Sequence, residues 1–202
     1  MGCAALRVLT GLTLLEVKGS SAMVTIPPAL MGMRRLQVLD LRGNAMSVED
    51  TAAVAAALPA LAGSLKYLHL SYCRIDVEAA ANALAPALTQ ATGLVKLFLG
   101  SNEFGPQGAQ WLVPVLSALP HLRKVDLAAC RLGVQGCMAV AHALKGRDGA
   151  LVDLKYNSVT IGSVEGVELY NMPGMDVRLE SQYDVATVLW AMRPLSCPAP
   201  VG

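Results

Sequence analysis

The run Leu94-Val95-Lys96-Leu97-Phe98-Leu99-Gly100-Ser101-Asn102-Glu103-Phe104 fits L-x-x-L-x-L-x-x-N-x-L, with Phe in the last place. The same frame recurs on both sides of it. Leu65, Leu68, Leu70, Cys73 and Ile75 stand 29 residues upstream, and Leu36, Leu39, Leu41, Asn44 and Met46 another 29 before those. Leu122, Val125, Leu127, Cys130 and Leu132 follow after 28 residues. Fainter copies flank these: Leu12, Leu15, Val17, Ser20 and Ala22 at the start, and Val152, Leu154, Asn157 and Val159 near the end. Self-similarity at a fixed period marks a solenoid, in which each repeat buries its apolar side against its neighbours. The shared register predicts an α/β fold with parallel strands near 14–17, 38–41, 67–70, 96–99, 124–127 and 152–154.

Between the strands the pattern changes period. Met46, Asp50, Val54 and Leu58 step by four, as do Ala80, Leu84 and Leu88. Phe104, Gly108, Leu112 and Leu116 repeat that step, and so do Leu132, Gly136, Val140 and Leu144. Such spacing puts side chains on one helical face. Ser47, Asp76, Gly105-Pro106 and Gly133 read as helix starts. Pro59 is expected to end its helix, and Pro86 and Pro114 to end or kink theirs. The first connection, Ile26-Pro27-Pro28-Ala29-Leu30, is expected to be an extended or 3₁₀ crossing, because two prolines preclude a long helix.

The frame N-x-Φ-G-x-x-G-x-x-x-Φ, where Φ is apolar, has Asn44, Cys73, Asn102, Cys130 and Asn157 alternating in its first place. Gly105, Gly108, Gly133 and Gly136 fill its glycine places. Over roughly residues 36 to 160 the chain resembles the ribonuclease-inhibitor-like class of leucine-rich repeats. The resemblance implies a curved horseshoe with a parallel concave sheet and helices on the convex side. Relatives of that class include ribonuclease inhibitor, Ran-type GTPase activators, tropomodulins and the sensor halves of NOD-like receptors. Residues 1–160 are expected to form about six repeats, the first short and atypical. Residues 161–193 are expected to make a carboxy-terminal cap, a hairpin around Pro173-Gly174 plus a short helix from Val185 to Met192. Residues 194–202 are expected to be a disordered tail.

Composition narrows the function. A net charge of +1 argues against a nucleic-acid binder, which shows a basic stripe. The uncharged run from Phe104 to Leu122 is long enough for a membrane span, but its Gly, Gln and Pro residues lie in register with the repeats. No membrane span is expected. Met1-Gly2-Cys3 invites an acylation reading, yet Leu6 stands where that motif wants Ser or Thr. Five cysteines are an odd number, and Cys73 and Cys130 occupy the inward slot held elsewhere by Asn. They are expected to be buried free thiols, which suits a reducing, cytoplasmic compartment.

Chemistry has no foothold. His69, His121 and His142 have no Cys, Asp or Glu at metal-ligand spacing, and no phosphate loop or nucleophile elbow occurs. The expectation is no enzyme, no cofactor and no metal. What varies is the concave face, where alternate strand positions are free of the leucine core. One column reads Glu16, Asp40, His69, Phe98, Asp126 and Asp153; the column before it reads Leu14, Val38, Tyr67, Lys96, Lys124 and Leu151. Tyr67, Tyr72 and Phe98 converge at the centre and are ringed by charge, as interface anchors are. Asp40, Tyr67, His69, Tyr72, Lys96, Phe98, Lys124 and Asp126 are therefore the candidate partner-binding residues. The expected partner is a protein; the alternatives are a small-GTPase regulator of the Ran-activator type or a piece of a larger receptor or scaffold. Residues 1–11 read as the tail of an earlier repeat, and the apolar Leu12–Val17 edge is expected to favour self-association.

Overall fold

A computed structural model of the chain describes residues 10–19 and 26–159, with 166, 168, 169, 172 and 175–179 beyond them. In order, the elements are β1 (Leu14–Glu16), α1 (Ile26–Leu30), β2 (Val38–Asp40), α2 (Val48–Leu61) and β3 (Tyr67–His69). A short α3 (Val77–Ala79) then leads through a π-helical turn (Ala80–Leu84) into α4 (Ala85–Gln90). The remainder is β4 (Lys96–Phe98), α5 (Gly108–Ala118), β5 (Lys124–Asp126), α6 (Gly133–Ala143), β6 (Ala150–Asp153) and β7 (Met175–Arg178). The strands form one seven-stranded sheet in chain order, every pairing parallel. Helices pack side by side with their neighbours, so the architecture is the expected leucine-rich-repeat solenoid.

The register follows from the leucines. Leu15, Leu39, Leu68, Leu97, Val125, Val152 and Val177 lie in one line across the sheet. Leu39, Leu68 and Leu97 are wholly buried, as are Leu36, Leu65 and Leu94 on the approach to each strand. Each such side chain stabilises the fold by about 1.5–3 kcal/mol relative to exposure. A Cβ on Gly108 would lie 2.6 Å from the Cβ of Phe104, so only glycine lets α5 sit this close to its own turn.

Below the strands runs a ladder of buried amides. Asn102 donates from Nδ2 to the carbonyls of Leu70 (2.7 Å) and Leu99 (2.8 Å), and its Oδ1 accepts the N–H groups of Cys73 and Ile75, both at 3.1 Å. Asn157 likewise donates to Leu127 and Leu154 and accepts from Leu132. Cys73 and Cys130 fill the alternate slots, as expected, with Sγ donating to Leu41 (3.2 Å) and Leu99 (3.4 Å). Both are buried free thiols, joined by Cys137 on α6. Burial pushes the Cys73 thiol up to about 11 and those of Cys130 and Cys137 up to about 12. With folded values raised, their contribution to stability is complete below the ordinary thiol range and is lost as pH rises toward those values. At pH 8, thiolate scarcity alone is expected to slow native labelling of all three by ~100-fold or more against an exposed cysteine. Rapid labelling of Cys73 or Cys130 in a timed alkylation would contradict this packing. Gly2, Cys3 and Cys197 lie outside the described residues.

Three local expectations need correction. The hairpin after residue 160 does not form: Gly166, Glu168 and Leu169 are helical, and β7 pairs in parallel with β6. Strand Met175–Arg178 therefore extends the solenoid sheet, because Val177 continues the inward line and Leu179 beyond it is also buried. The expected helix at 185–192 and the tail lie outside the described residues. The Pro27-Pro28 connection closes one short helix, α1, since prolines in a first turn remove no intrahelical bond. Pro59 sits inside α2, which runs two residues further to Leu61. Pro86, by contrast, follows the π-helical turn, where the Ala85 N–H reaches back to Ala80. Of the four start signals, Ser47 forms a capping box with Asp50, and Asp76 accepts from Glu78 and Ala79. Neither α5 nor α6 has a side-chain cap.

Candidate interaction face

The concave face is built by the strand positions that the leucine line leaves free. Because the register is parallel and unbroken, Tyr67 faces Lys96, Lys96 faces Lys124, and His69 faces Phe98, which faces Asp126. The side chains close diagonally. Tyr67 stacks on Phe98 with ring centroids 5.1 Å apart, and His69 lies tilted against the same ring at 4.8 Å. The Lys96 ammonium lies 4.7 Å from the Tyr67 ring centre and that of Lys124 lies 5.4 Å from the Phe98 ring centre. Partly exposed contacts of this kind contribute ~0.5–1 kcal/mol each.

Phe98 is consequently 9% exposed, not the open aromatic that strand alternation suggests. Its neighbours cover it, and the accessible surface of the cluster is made by Tyr67, His69 and the lysines. Among the described residues no carboxylate ion-pairs with Lys96 or Lys124. Two like charges are held directly opposite each other, an arrangement that costs the free sheet stability.

Towards β1 the face becomes a charge network. Asp40 is buried, accepts the Arg42 N–H at 3.1 Å, and has Arg42 Nε at 3.2 Å and Lys18 Nζ at 3.6 Å. His69 Nδ1 lies 3.7 Å from the same carboxylate. Burial holds the His69 pKa below the ordinary histidine value, although Asp40 pulls it upward, so the ring is neutral at pH 7. Asp126 accepts the Ala128 N–H at 2.9 Å, and burial raises its carboxyl pKa. Asp153 makes the same turn with Lys155, so these aspartates also close the strand ends. A recess of ≈ 450 Å³ opens beside Asp40, Tyr67, His69, Phe98 and Lys124. Glu16, Val38 and Arg42 line it too. The first two belong to the free columns and Arg42 to the position after them, yet none carries the aromatic signal that singled out its neighbours.

Tyr72 does not join this cluster. The strand ends at His69, period-2 alternation ends with it, and Tyr72 adopts φ +59° and is 67% exposed in the loop beyond. It lines a different groove, with Arg74 and Glu103. Seven of the eight candidate residues are thus on the concave face, and the eighth is on the loop edge. Among the described residues there is no group of His, Cys, Asp and Glu able to hold a metal ion, and no helix is long and apolar enough to cross a membrane.

A family model described as a leucine-rich repeat matches residues 64–81 and 118–141. Over 163 residues, 80% of its length, the chain is 28% identical to the NACHT, LRR and PYD domains-containing protein 5 of Bos taurus. It is 35% identical over 80 residues, 40% of its length, to protein NLRC5 of Mus musculus. The matched stretches span 14% and 4% of those relatives. Among solved structures, the leucine-rich repeat-containing protein LegL7 of Legionella pneumophila superposes with a TM-score of 0.43 at 12% identity, covering 89% of this chain and 81% of that one.

Proposed function

We propose, from the premise that this chain is a leucine-rich-repeat protein, that its concave sheet docks a partner protein and that it is not an enzyme. The single observation that carries the reading is the centre of that face. Tyr67, His69 and Phe98 form a stacked aromatic cluster, and beside it Lys96 and Lys124 are held opposite each other with no ion pair among the described residues. Aromatic anchors give a partner desolvated contact area, and the two lysines give it a charge to meet. Asp40 and Asp126, already engaged in their own turns, set the acidic margin of the same surface. An intracellular location suits the buried free thiols and is part of the proposal.

The test is binding kinetics with a partner captured on the wild-type chain. Lys124→Glu is expected to lower the association rate about tenfold at low salt and to flatten its salt dependence, with dissociation changed less. An unaltered association rate would count against the face. A captured small GTPase would favour the Ran-activator alternative over a scaffold role. The likeness to the NACHT, LRR and PYD domains-containing protein favours reading this array as the counterpart of such a protein's repeats. We also propose self-association through β1, the outer strand of the sheet, where Leu14 is half exposed. Sedimentation on the order of tens of micromolar should reveal oligomers, and a single monomeric species would refute it.

A further inference from the structure

The loops that follow the strands form a second row of equivalent positions: Gly43, Tyr72, Ser101, Ala129 and Tyr156. All five take a left-handed backbone, with φ +73°, +59°, +57°, +55° and +59°. Glycine adopts that conformation freely, whereas a bulky side chain does so at a cost. The row is held by its own ladder, in which the N–H of Tyr72 donates to Gly100 at 2.9 Å and that of Ser101 to Ala128 at 2.7 Å. Two of the strained positions nevertheless carry tyrosine, and Tyr72 and Tyr156 are 67% and 60% exposed. Neither ring repays its strain by burial within the chain. Strain persisting at an exposed aromatic points to a role outside the fold.

Two residues further along the three central loops lies a row of alternating charge, Arg74, Glu103 and Arg131, with Ala45 and Ser158 in the same place on the outer two. Glu103 pairs with Arg131 at 3.0 Å, which leaves Arg74 with no ion pair among the described residues. Tyr72, Arg74, Ser101 and Glu103 wall an open groove of ≈ 820 Å³, with the buried Ile75 at its base. We propose that this loop-edge groove is a second docking site, distinct from the concave face, for an extended acidic peptide segment of a partner protein. One carboxylate of that segment meets the Arg74 guanidinium, whose planar fork matches it, and the adjoining side chain lies against the Tyr72 ring. Glu103 sets the polarity, since it repels an acidic residue placed on its side. The groove differs in this from the concave centre, where two lysines and three rings make a broad face.

The probe is a set of blocked heptapeptide pools with a fixed central residue, Glu, Gln or phosphoserine, and neutral residues elsewhere. Binding is read by NMR shifts of the Arg74 side-chain Nε–Hε and the Ser101 amide in the full chain. The Glu pool is expected to move both signals and the Gln pool neither. Arg74→Gln should weaken the Glu pool about tenfold or more, as loss of a charge-assisted pair does. Glu103→Gln should strengthen it ~2-fold or more by removing the repulsion. Tyr72→Gly separates binding from folding: it should raise the urea midpoint by relieving strain and still weaken the peptide. Phe98→Ala should leave the shifts unchanged, so the outcome is independent of the concave-face reading. Equal shifts from the Glu and Gln pools, binding of the phosphoserine pool alone, or occupation of the groove by a second copy of the chain would overturn the proposal.

Discussion

Replacing Asn102 by alanine is expected to cost the fold about 3–4 kcal/mol, read as the change in urea unfolding free energy. The side chain is fully buried and satisfies four backbone groups that have been taken out of water. Removing it leaves the carbonyls of Leu70 and Leu99 and the N–H groups of Cys73 and Ile75 without that partner. Each buried group left unsatisfied costs ~1–3 kcal/mol, and the sum is reduced where water enters the space. Asn102→Cys should be milder, because Cys73 and Cys130 occupy the same slot and Sγ donates to one of the equivalent carbonyls. Equal losses for Ala and Cys would mean that the amide ladder is not what joins the repeats here.

Phe98→Ala is expected to weaken partner binding by about 1–3 kcal/mol, as truncating an anchor does. It should also lower the stability of the free chain by about 1–2 kcal/mol, since the ring is almost wholly covered by its own neighbours. Tyr67→Ala should show the reverse balance, with a binding loss of similar size and less stability loss, because Tyr67 is only partly buried. The two effects separate when titrations are run well below the unfolding midpoint. A stability loss with no change in affinity would make the cluster part of the fold alone.

The strands were legible because each repeat must place the same apolar residues against its neighbours, which leaves a strict spacing in the chain. β7 was not, for a specific reason. The first leucine of the frame is replaced in both final copies, Gly149-x-x-Val152-x-Leu154 and Gly174-x-x-Val177-x-Leu179, and the Pro-Gly pair in front of β7 mimics a hairpin turn. Recognising Gly149 as the degenerate leucine would have revealed the copy 25 residues on. The π-helical turn before Pro86 left no signal beyond the proline itself. At the candidate site, strand alternation found the columns but not the diagonal stacking that covers Phe98. That stacking depends on rotamers rather than on spacing. Tyr72 falls outside the cluster because β3 ends at His69 and the chain turns into backbone of positive φ, so nearness in sequence does not bring it onto the strand face.

The central claim is that the cluster around Tyr67 and Phe98 is where a partner docks. The most direct measurement is the affinity of a captured partner for the Tyr67→Ala/Phe98→Ala double variant, beside Gln110→Ala on the exposed side of α5 as control. The two rings touch, so their effects will not sum, and the double variant is expected to lose about 2–4 kcal/mol, roughly 30- to 1,000-fold in Kd. Gln110→Ala should bind as the wild type does. Unchanged affinity of the double variant, with its circular dichroism intact, would contradict the claim and move the interface off the concave sheet.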